Sequence, residues 1–202
     1  MKLVLASNSP RRRQLMGLAG FSCEVMATDV DETLGSGIGA GEAVLALAKK
    51  KSAAAVARLF ASEPAEPVIV IAADTLVSLG GEILEKPNGR ADAFRMLRAL
   101  SGNRHTVFTG VCVARLEPGR GKVAETAFVE SAGVEFRELS DADISAYIET
   151  GEPFDKAGAY GVQEKGALLV AGVFGDFYTV VGLPLCRLGQ ELAKMGAGLW
   201  KA

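Results

Sequence analysis

The sequence predicts an α/β protein with a mixed, twisted sheet flanked by helices and with two lobes around a cleft. Two observations indicate this class. Through the first half of the chain, strand-like apolar runs alternate with helix-like segments, as in proteins whose helices cover a sheet. Two longer strand-like stretches then follow each other at 104–116 and 123–136. The sheet should therefore be mixed.

The composition indicates a globular chain rather than a disordered one. The chain has 202 residues, of which 49% are hydrophobic and 23% charged. This length suits a single domain over 1–202 that contains both lobes. The net charge of −2 argues against a nucleic-acid polymer as partner, because such proteins rely on broad basic surfaces.

Cysteine usage and hydropathy bear on the compartment. The three cysteines, Cys23, Cys112 and Cys186, lie far apart and form no CxxC motif, which is typical of buried free thiols in a reducing environment. No apolar run approaches the length of a membrane span, so we expect no membrane partner. The sequence therefore predicts a cytoplasmic protein.

The first twenty residues organise the rest of the chain. A short apolar strand at 2–6 is followed by Ser9 as a helix N-cap, Pro10 as the first helical residue and a helix to Ala19. Arginines 11–13 occupy the first turn, although a helix N-terminus favours negative charge. A bound phosphate would explain them, since arginine suits phosphate oxygens. The alternative is a solvated basic turn.

A short strand at 21–27 and a helix at 42–60 come next. Lys51 lies one heptad from Val44 and four residues from Leu47, which places it on the apolar face of this helix. Two interpretations remain open at this point. The lysine either extends its amine to the surface or points into a cleft, where it meets a phosphate or a carboxylate.

An unbroken apolar run at 68–73 predicts a strand buried on both faces. Asp74 and Thr75 follow at its predicted carboxyl end, where ligands gather in α/β folds. A hairpin over 76–85 with a two-glycine turn then carries Lys86 back to a position opposite Thr75. A lone aspartate after a strand is often only a helix cap or a turn residue. An aspartate that has a lysine beside it on the neighbouring strand is less often a purely structural residue.

The second half of the chain predicts further elements in alternation with loops. They are a helix at 90–100, strands at 104–116 and 123–136, a helix from the Ser140 cap to Glu149, an irregular stretch at 151–163, an extended stretch at 167–181 and a last helix opened by Pro184. The single histidine, His105, lies in a predicted strand. It excludes a histidine-rich metal site, and we interpret it as structural.

Several of these residues suit phosphoanhydride hydrolysis. The reaction needs groups that hold the phosphates, positive charge near the leaving group and a base for the attacking water. The arginine-bearing helix start, Lys51 and Lys86 can supply the first two, and Asp74 can supply the third directly or by holding a metal. Glu32 adds a second carboxylate. Mg²⁺ is the expected ion, because it prefers oxygen ligands and accompanies triphosphates.

The stretch 149–163 is the second informative region. Asp155 and Lys156 could pair, and the small residues at 157–161 would let a ligand approach the backbone. Gln163 offers both a donor and an acceptor, as reading a base edge requires. The alternative is an ordered structural loop. The chain has no GxGxxG and no GxxxxGK motif, so a Rossmann or Walker-type site is not supported.

Five blocks of the sequence together resemble the signature of the Maf family. They are Leu5–Arg12, Ala73–Thr75, Lys86–Pro87, Glu149–Gln163 and Gly182–Leu185. The resemblance implies a nucleoside triphosphate pyrophosphatase that leaves the nucleoside monophosphate and uses Mg²⁺ or a similar ion. It also implies a two-lobed α/β fold with a cleft, shared with house-cleaning inosine triphosphate pyrophosphatases, and often a homodimer.

The resemblance also assigns roles to residues. Asp74 matches the family's proton acceptor, and Glu32 matches an acidic position nearby, so both are candidate metal ligands. The polar cleft positions of the family are matched by Ser7, Arg11, Arg12, Lys51 and Lys86. Arg11, Thr75 and Gln163 match three positions that separate subfamilies, and here they resemble the branch acting on dTTP and UTP.

The expected activity is therefore hydrolysis of dTTP, UTP and modified pyrimidine triphosphates. Two alternatives stay open. One is the 7-methyl-GTP specificity of another branch, which looks different at the three subfamily positions. The other is a nucleotide-binding regulator without turnover, because the resemblance extends to proteins linked to septum formation and cell-division arrest.

Overall fold

The structure is a computed structural model that describes residues 1–33, 35 and 37–198; the rest of the predicted domain 1–202 lies outside the described residues. Strands and helices alternate along the chain. In order they are β1 (Lys2–Ala6), α1 (Pro10–Leu18), β2 (Glu24–Val25), α2 (Ala40–Ala61), β3 (Val68–Leu79), β4 (Glu82–Leu84), α3 (Arg90–Leu100), β5 (Arg104–Glu117), β6 (Gly121–Phe136), α4 (Asp141–Glu149), β7 (Val170–Phe174), α5 (Phe177–Val181) and α6 (Leu185–Lys194). Short 3₁₀ helices occupy Glu152–Asp155, Ala157–Ala159 and Glu164–Leu169.

The strands form one mixed sheet, flanked by helices, in the order β2-β1-β3-β5-β6-β7, with β4 also paired to β3. Strand β1 pairs in parallel with β2 and with β3. The pairs β3–β4 and β6–β7 are antiparallel. The predicted mixed α/β class is therefore confirmed.

The chain divides into two compact units. One contains Met1–Asp74, Thr109–Glu130 and the described residues from Gly182 onward. The other contains Thr75–Phe108 and Ser131–Val181. Strands β3, β5 and β6 have residues in both units. The cleft expected from the sequence stays a prediction.

In the first unit, helix α2 packs closely on the sheet. Its buried residues Ala55 and Leu59 share a hydrophobic core with residues of β1 and β3, such as Val4 and Val70. At Gly110 in β5 an added Cβ would lie 2.4 Å from the Val44 carbonyl oxygen of α2. Only a glycine allows the helix backbone to come this near the strand.

Strand β3 is longer than the sequence predicts. It runs from Val68 to Leu79 without a break, so the placement of Asp74 and Thr75 at the carboxyl end of the strand was wrong. The pairing with β1 ends at Ala72, and the pairing with β4 begins at Val77. Asp74 and Thr75 therefore lie within β3, between the part that pairs with β1 and the part that pairs with β4.

Two other predicted strands are shorter than expected. The stretch at 21–27 contains only Glu24–Val25 as a strand. The extended stretch at 167–181 contains β7 and then helix α5. The side chain of Asp176 accepts hydrogen bonds from the Tyr178 and Thr179 amides at 3.1 and 3.0 Å, and this aspartate cap starts the helix.

The cysteines are free, as expected, but only Cys112 is fully buried. Cys23 is half-buried and Cys186 is exposed on α6, so the prediction of three buried thiols was wrong for these two. Within the described residues, no helix combines the length and the apolar character that crossing a membrane would need.

Candidate active site

Lys51 on α2 contacts two carboxylates of the first unit. Its Nζ lies 2.5 Å from Asp74 Oδ1 and 2.7 Å from Glu32 Oε1. The side chains of Lys51 and Asp74 are only 10% and 11% exposed, whereas Glu32 is 50% exposed. Of the two interpretations of Lys51, the one in which it meets a carboxylate is confirmed. Buried ion pairs add little net stability, because the loss of hydration offsets most of their attraction.

The helical period brings Lys51 to this position. Lys51 is buried on the face that also carries Val44 and Leu47, while Lys49 and Lys50 are exposed. The heptad pattern of the sequence therefore identified the one lysine of the three that turns inward.

Lys50 connects Asp31, the neighbour of Glu32, to the same helix. Its Nζ donates to the Asp31 carbonyl oxygen at 2.5 Å and lies 3.6 Å from Asp31 Oδ2. Because Asp31 and Glu32 are adjacent, Lys50 and Lys51 together hold two neighbouring acidic residues against α2. This role of Lys50 was not predicted from the sequence, although the position of Lys50 next to Lys51 was a signal that could have indicated it.

Arg12 is buried and fixed at two of its nitrogens. Its Nε donates to the Gly182 carbonyl oxygen at 2.8 Å and its Nη1 donates to Ser7 Oγ at 3.2 Å. Burial lowers the pKa of the Arg12 guanidinium, the charge of Asp74 opposes this shift, and the charge of Arg11 adds to it. Ser7, Arg12 and Asp74 thus belong to one electrostatic environment in the first unit.

The start of α1 has the predicted cap. Ser9 Oγ accepts the Arg12 amide at 3.4 Å, Ser7 Oγ accepts the Ser9 amide at 3.2 Å, and Pro10 is the first helical residue. The first turn carries no acidic residue, whereas α2 and α3 each have one there and α4 has two. The half-buried Arg11 follows Pro10 in this turn, so the helix start favours an anion.

Three predicted site residues belong to the second unit. Thr75 is half-buried on β3, Lys86 is exposed beyond the end of β4, and Gln163 is half-buried just before a 3₁₀ helix. In the hairpin Val77 pairs with Leu84, which is the register that a two-glycine turn at 80 and 81 predicts. Strand β4 ends at Leu84, so the placement of Lys86 opposite Thr75 lies outside the paired segment and stays a prediction.

The stretch after α4 is ordered by its own contacts. Lys156 Nζ lies 2.7 Å from Asp155 Oδ1, as predicted. The Gly158 amide donates to the Glu85 carbonyl oxygen at 3.1 Å, and a Cβ at Gly158 would lie 3.0 Å from the Val77 side chain. Packing against the β3–β4 hairpin is therefore one reason for the small residue at 158.

His105 is structural, as interpreted from the sequence. It is buried, its Nε2 lies 2.7 Å from the Tyr160 hydroxyl, and its ring packs edge-on against Phe136. Burial lowers the pKa of His105 to about 4. The imidazole is therefore neutral near pH 7.

The described residues contain no group of three or more histidine, cysteine, aspartate or glutamate side chains that could hold a metal ion. A closed metal site made by the protein alone is therefore not found in the part of the chain that the structure describes.

The sequence did not predict that the Gly182 carbonyl fixes Arg12. The block Gly182–Leu185 was visible, but a backbone acceptor leaves no mark in residue type.

Comparison with known proteins gives consistent results over the whole chain. The family model described as "Maf: Maf-like protein" matches residues 2–195. A dTTP/UTP pyrophosphatase of Anaeromyxobacter sp. (strain Fw109-5) is 46% identical, with 100% of this chain and 93% of the relative covered. Proteins of the same name from Moorella thermoacetica and Bacillus cytotoxicus are 44% and 43% identical, each with 98% of this chain and 97% of the relative covered.

Similar solved structures are more distant. The Ham1 protein of Staphylococcus aureus aligns with a TM-score of 0.40 and 19% identity, covering 67% of this chain and 72% of that one. A nucleoside-triphosphatase / dITP/XTP pyrophosphatase of Mycobacterium abscessus aligns with a TM-score of 0.41 and 11% identity, covering 96% and 97%. Both overlaps are too loose to compare individual residues.

Proposed function

This chain belongs to the Maf-like protein family, and from that premise we propose that it hydrolyses dTTP and UTP to the nucleoside monophosphate and pyrophosphate. The substrates are those in the names of its relatives. The observation that carries the proposal is the buried Lys51–Asp74 pair in the unit that also holds the arginine-bearing helix start. These are the positive groups and the carboxylate that phosphoanhydride hydrolysis needs.

The chain's own residues carry out the following steps. Arg11 and Arg12 bind phosphate oxygens at the start of α1, and Lys51 offsets negative charge beside Asp74. Asp74 accepts the proton of a water whose oxygen attacks the α-phosphorus. The bond from the α-phosphorus to the bridging oxygen breaks, and that oxygen leaves with pyrophosphate. The fixed guanidinium of Arg12 suits this work, because preorganised charge does not have to reorient during the reaction.

A divalent cation, expected to be Mg²⁺, is part of the proposal. Asp74 Oδ1 and Glu32 Oε1 both contact the Lys51 ammonium, so the two carboxylates lie near each other beside Lys51 and would together suit an ion that also takes phosphate oxygens as ligands. When bound, Mg²⁺ would offset charge on the phosphates. Chelation should then abolish activity and added Mg²⁺ restore it. Glu32→Gln should raise the Mg²⁺ concentration needed for half-maximal rate.

The base-reading role is assigned to the second unit. Gln163 can donate and accept hydrogen bonds, and with Thr75 and Arg11 it matches the dTTP/UTP pattern of the family. Lys86 is proposed to add a positive charge for the phosphates. The proposal also covers modified pyrimidine triphosphates, because Gln163, Thr75 and Arg11 would recognise groups that uracil and thymine share.

The test is pyrophosphate release from dTTP, UTP, 5-methyl-UTP, CTP, ITP and 7-methyl-GTP with Mg²⁺. Release confined to the thymine and uracil nucleotides is the expected result. Release from 7-methyl-GTP alone would keep the reaction but overturn the specificity. Binding of nucleotides without release of pyrophosphate would favour the regulator of septum formation instead.

A cytoplasmic location and a homodimer are also proposed, from the sequence and from the family resemblance. Light scattering on the purified full chain measures the mass in solution. A mass of twice the chain would support the dimer, and a monomer across the working concentration range would contradict it.

A further inference from the structure

Gln163 lies in a short segment, residues 161–166, whose backbone amides donate hydrogen bonds to two side chains outside the segment. Tyr147 on α4 donates its hydroxyl to Glu152 Oε1 at 2.9 Å, and it accepts the Gly161 amide at 3.2 Å. We call Tyr147 and Glu152 the clamp. Through Tyr147 the clamp fixes the first residue of the segment.

Glu152 fixes the other end of the same segment. Its Oε2 accepts the Lys165 amide at 3.2 Å, and its Oε1 accepts the Gly166 amide at 3.1 Å. One carboxylate thus takes two backbone donors and one phenol. Because Gln163 is two residues from Gly161 and two from Lys165, both sides of Gln163 are tied to the clamp.

The two ends of the segment also touch each other. A Cβ built at Gly166 would lie 2.0 Å from the Gly161 carbonyl oxygen and 2.8 Å from the Tyr147 hydroxyl. No side chain fits there without moving the backbone. The two ends of the segment are therefore held together, and Gln163 lies in the loop between them.

The backbone inside the loop is strained. Glu164, directly after Gln163, has φ +57°, a conformation that costs a non-glycine residue free energy and persists only where neighbouring contacts enforce it. Such strain is common at ligand sites. Here the enforcing contacts include those from Glu152 to the two residues that follow Glu164.

The phenol is suited to its double role. Tyr147 is buried, and burial raises its pKa well above the usual value. The hydroxyl is therefore protonated near pH 7, so it can donate to Glu152 while it accepts from Gly161.

We propose that Tyr147 and Glu152 are positioning residues that set nucleobase selectivity by holding Gln163 in place. This inference rests on the proposed function, in which Gln163 reads the pyrimidine. Neither residue touches the reacting phosphates in this proposal. Loss of the clamp should therefore weaken recognition of the base more than the chemical step.

The experiment measures kcat and KM for UTP and CTP in Tyr147→Phe and Glu152→Gln. We expect KM for UTP to rise about 3- to 10-fold, with kcat within about twofold of wild type, since each variant removes hydrogen bonds of modest net strength. The UTP-to-CTP ratio of kcat/KM should fall by a similar factor. The matched controls are Glu149→Gln, at an exposed position of α4, and Tyr178→Phe on α5. Neither control should change KM for UTP or the UTP-to-CTP ratio of kcat/KM.

Amide hydrogen exchange separates the two halves of the clamp. Tyr147→Phe should speed exchange at Gly161, and Glu152→Gln should speed it at Lys165 and Gly166. Faster exchange with unchanged KM and unchanged selectivity in both variants would overturn the positioning role while leaving the proposed function intact. A wild-type protein inactive on every triphosphate would instead overturn the proposed function, and the inference with it. If Glu152→Gln does not fold, Tyr147→Phe alone decides the matter.

Discussion

Lys51 Nζ lies 2.5 Å from Asp74 Oδ1, and both side chains are about nine-tenths withdrawn from solvent. The two residues come from different elements, α2 and β3, so the contact is made only by the folded chain. Taking two charges out of water costs free energy that their attraction often only just offsets. In the proposed reaction Lys51 supplies positive charge for the phosphates and Asp74 supplies the base for the water, so this one contact joins both roles.

The first prediction concerns Asp74. Asp74→Asn keeps the size of the side chain but removes the proton acceptor, so kcat should fall on the order of 10²- to 10⁴-fold, the usual worth of general-base catalysis. KM should change little. Steady-state pyrophosphate release measures both constants. Asp141→Asn, at an exposed position of α4, is the control, and near-normal turnover in Asp74→Asn would exclude the proposed role.

The second prediction concerns the pairing itself. Lys51→Met leaves the Asp74 carboxylate without its buried ammonium and should lower the free energy of unfolding by about 3 kcal/mol, as when one partner of a buried pair is removed. Lys51→Met combined with Asp74→Asn should lose clearly less than the two single changes added together. Urea unfolding of the four proteins measures the coupling. Additive losses would mean that the two groups do not interact.

The third prediction uses the fixed guanidinium of Arg12. Lysine has no planar fork, so Arg12→Lys cannot donate to both the Gly182 carbonyl and Ser7 Oγ in the same way. We expect a loss of about 1 to 2 kcal/mol in stability and a raised KM for UTP. Arg13→Lys, at an exposed position in the same turn, should have neither effect. Equal behaviour of the two variants would contradict the importance of the fixed geometry.

The fourth prediction is a pH dependence. Folding lowers the pKa of His105 from 6.5 to about 4, so between these values the unfolded chain binds more protons than the folded one. Stability from this group is complete above pH 6.5, falls as the pH drops, and is lost by about pH 4. The total loss is about 3 kcal/mol.

The comparison with His105→Gln isolates this effect from the carboxylates. The difference in free energy of unfolding between wild type and variant should shrink by about 3 kcal/mol from pH 7 to pH 4. Denaturant titrations at a series of pH values measure it. A difference that is constant with pH would show that His105 does not titrate as its burial implies.

The parts of the fold that the sequence predicts are those decided by neighbouring residues. Ser9 with Pro10 starts α1, and Ser140 with Asp143 forms a full capping box at α4; each depends on residues a few positions apart. The period of α2 likewise placed Lys51 inward. In each case the local preference and the tertiary packing agree.

The parts that the sequence did not predict depend on partners far along the chain. Strand β3 continues past Asp74 because β4 pairs with its second half, which an apolar run that ends at Ala73 does not reveal. The clamp of Tyr147 and Glu152 acts on backbone amides, and these leave no trace in residue type. The carbonyl of Gly182 that fixes Arg12 escapes for the same reason.

The last prediction tests how Lys51 is held in position. Gly110→Ala would place a Cβ 2.4 Å from the Val44 carbonyl oxygen, and Val44 is one heptad before Lys51 on α2. The helix or the strand must shift, which should cost about 2 kcal/mol or more and reduce kcat by moving Lys51 relative to Asp74. At Gly17 on α1 an added Cβ has nothing within 4 Å, so Gly17→Ala should keep full activity and gain up to about 1 kcal/mol from helix propensity. Thermal unfolding and pyrophosphate release on the two variants measure both effects. Stability at the wild-type level in Gly110→Ala would mean that the close packing of α2 on β5 does not set the position of Lys51.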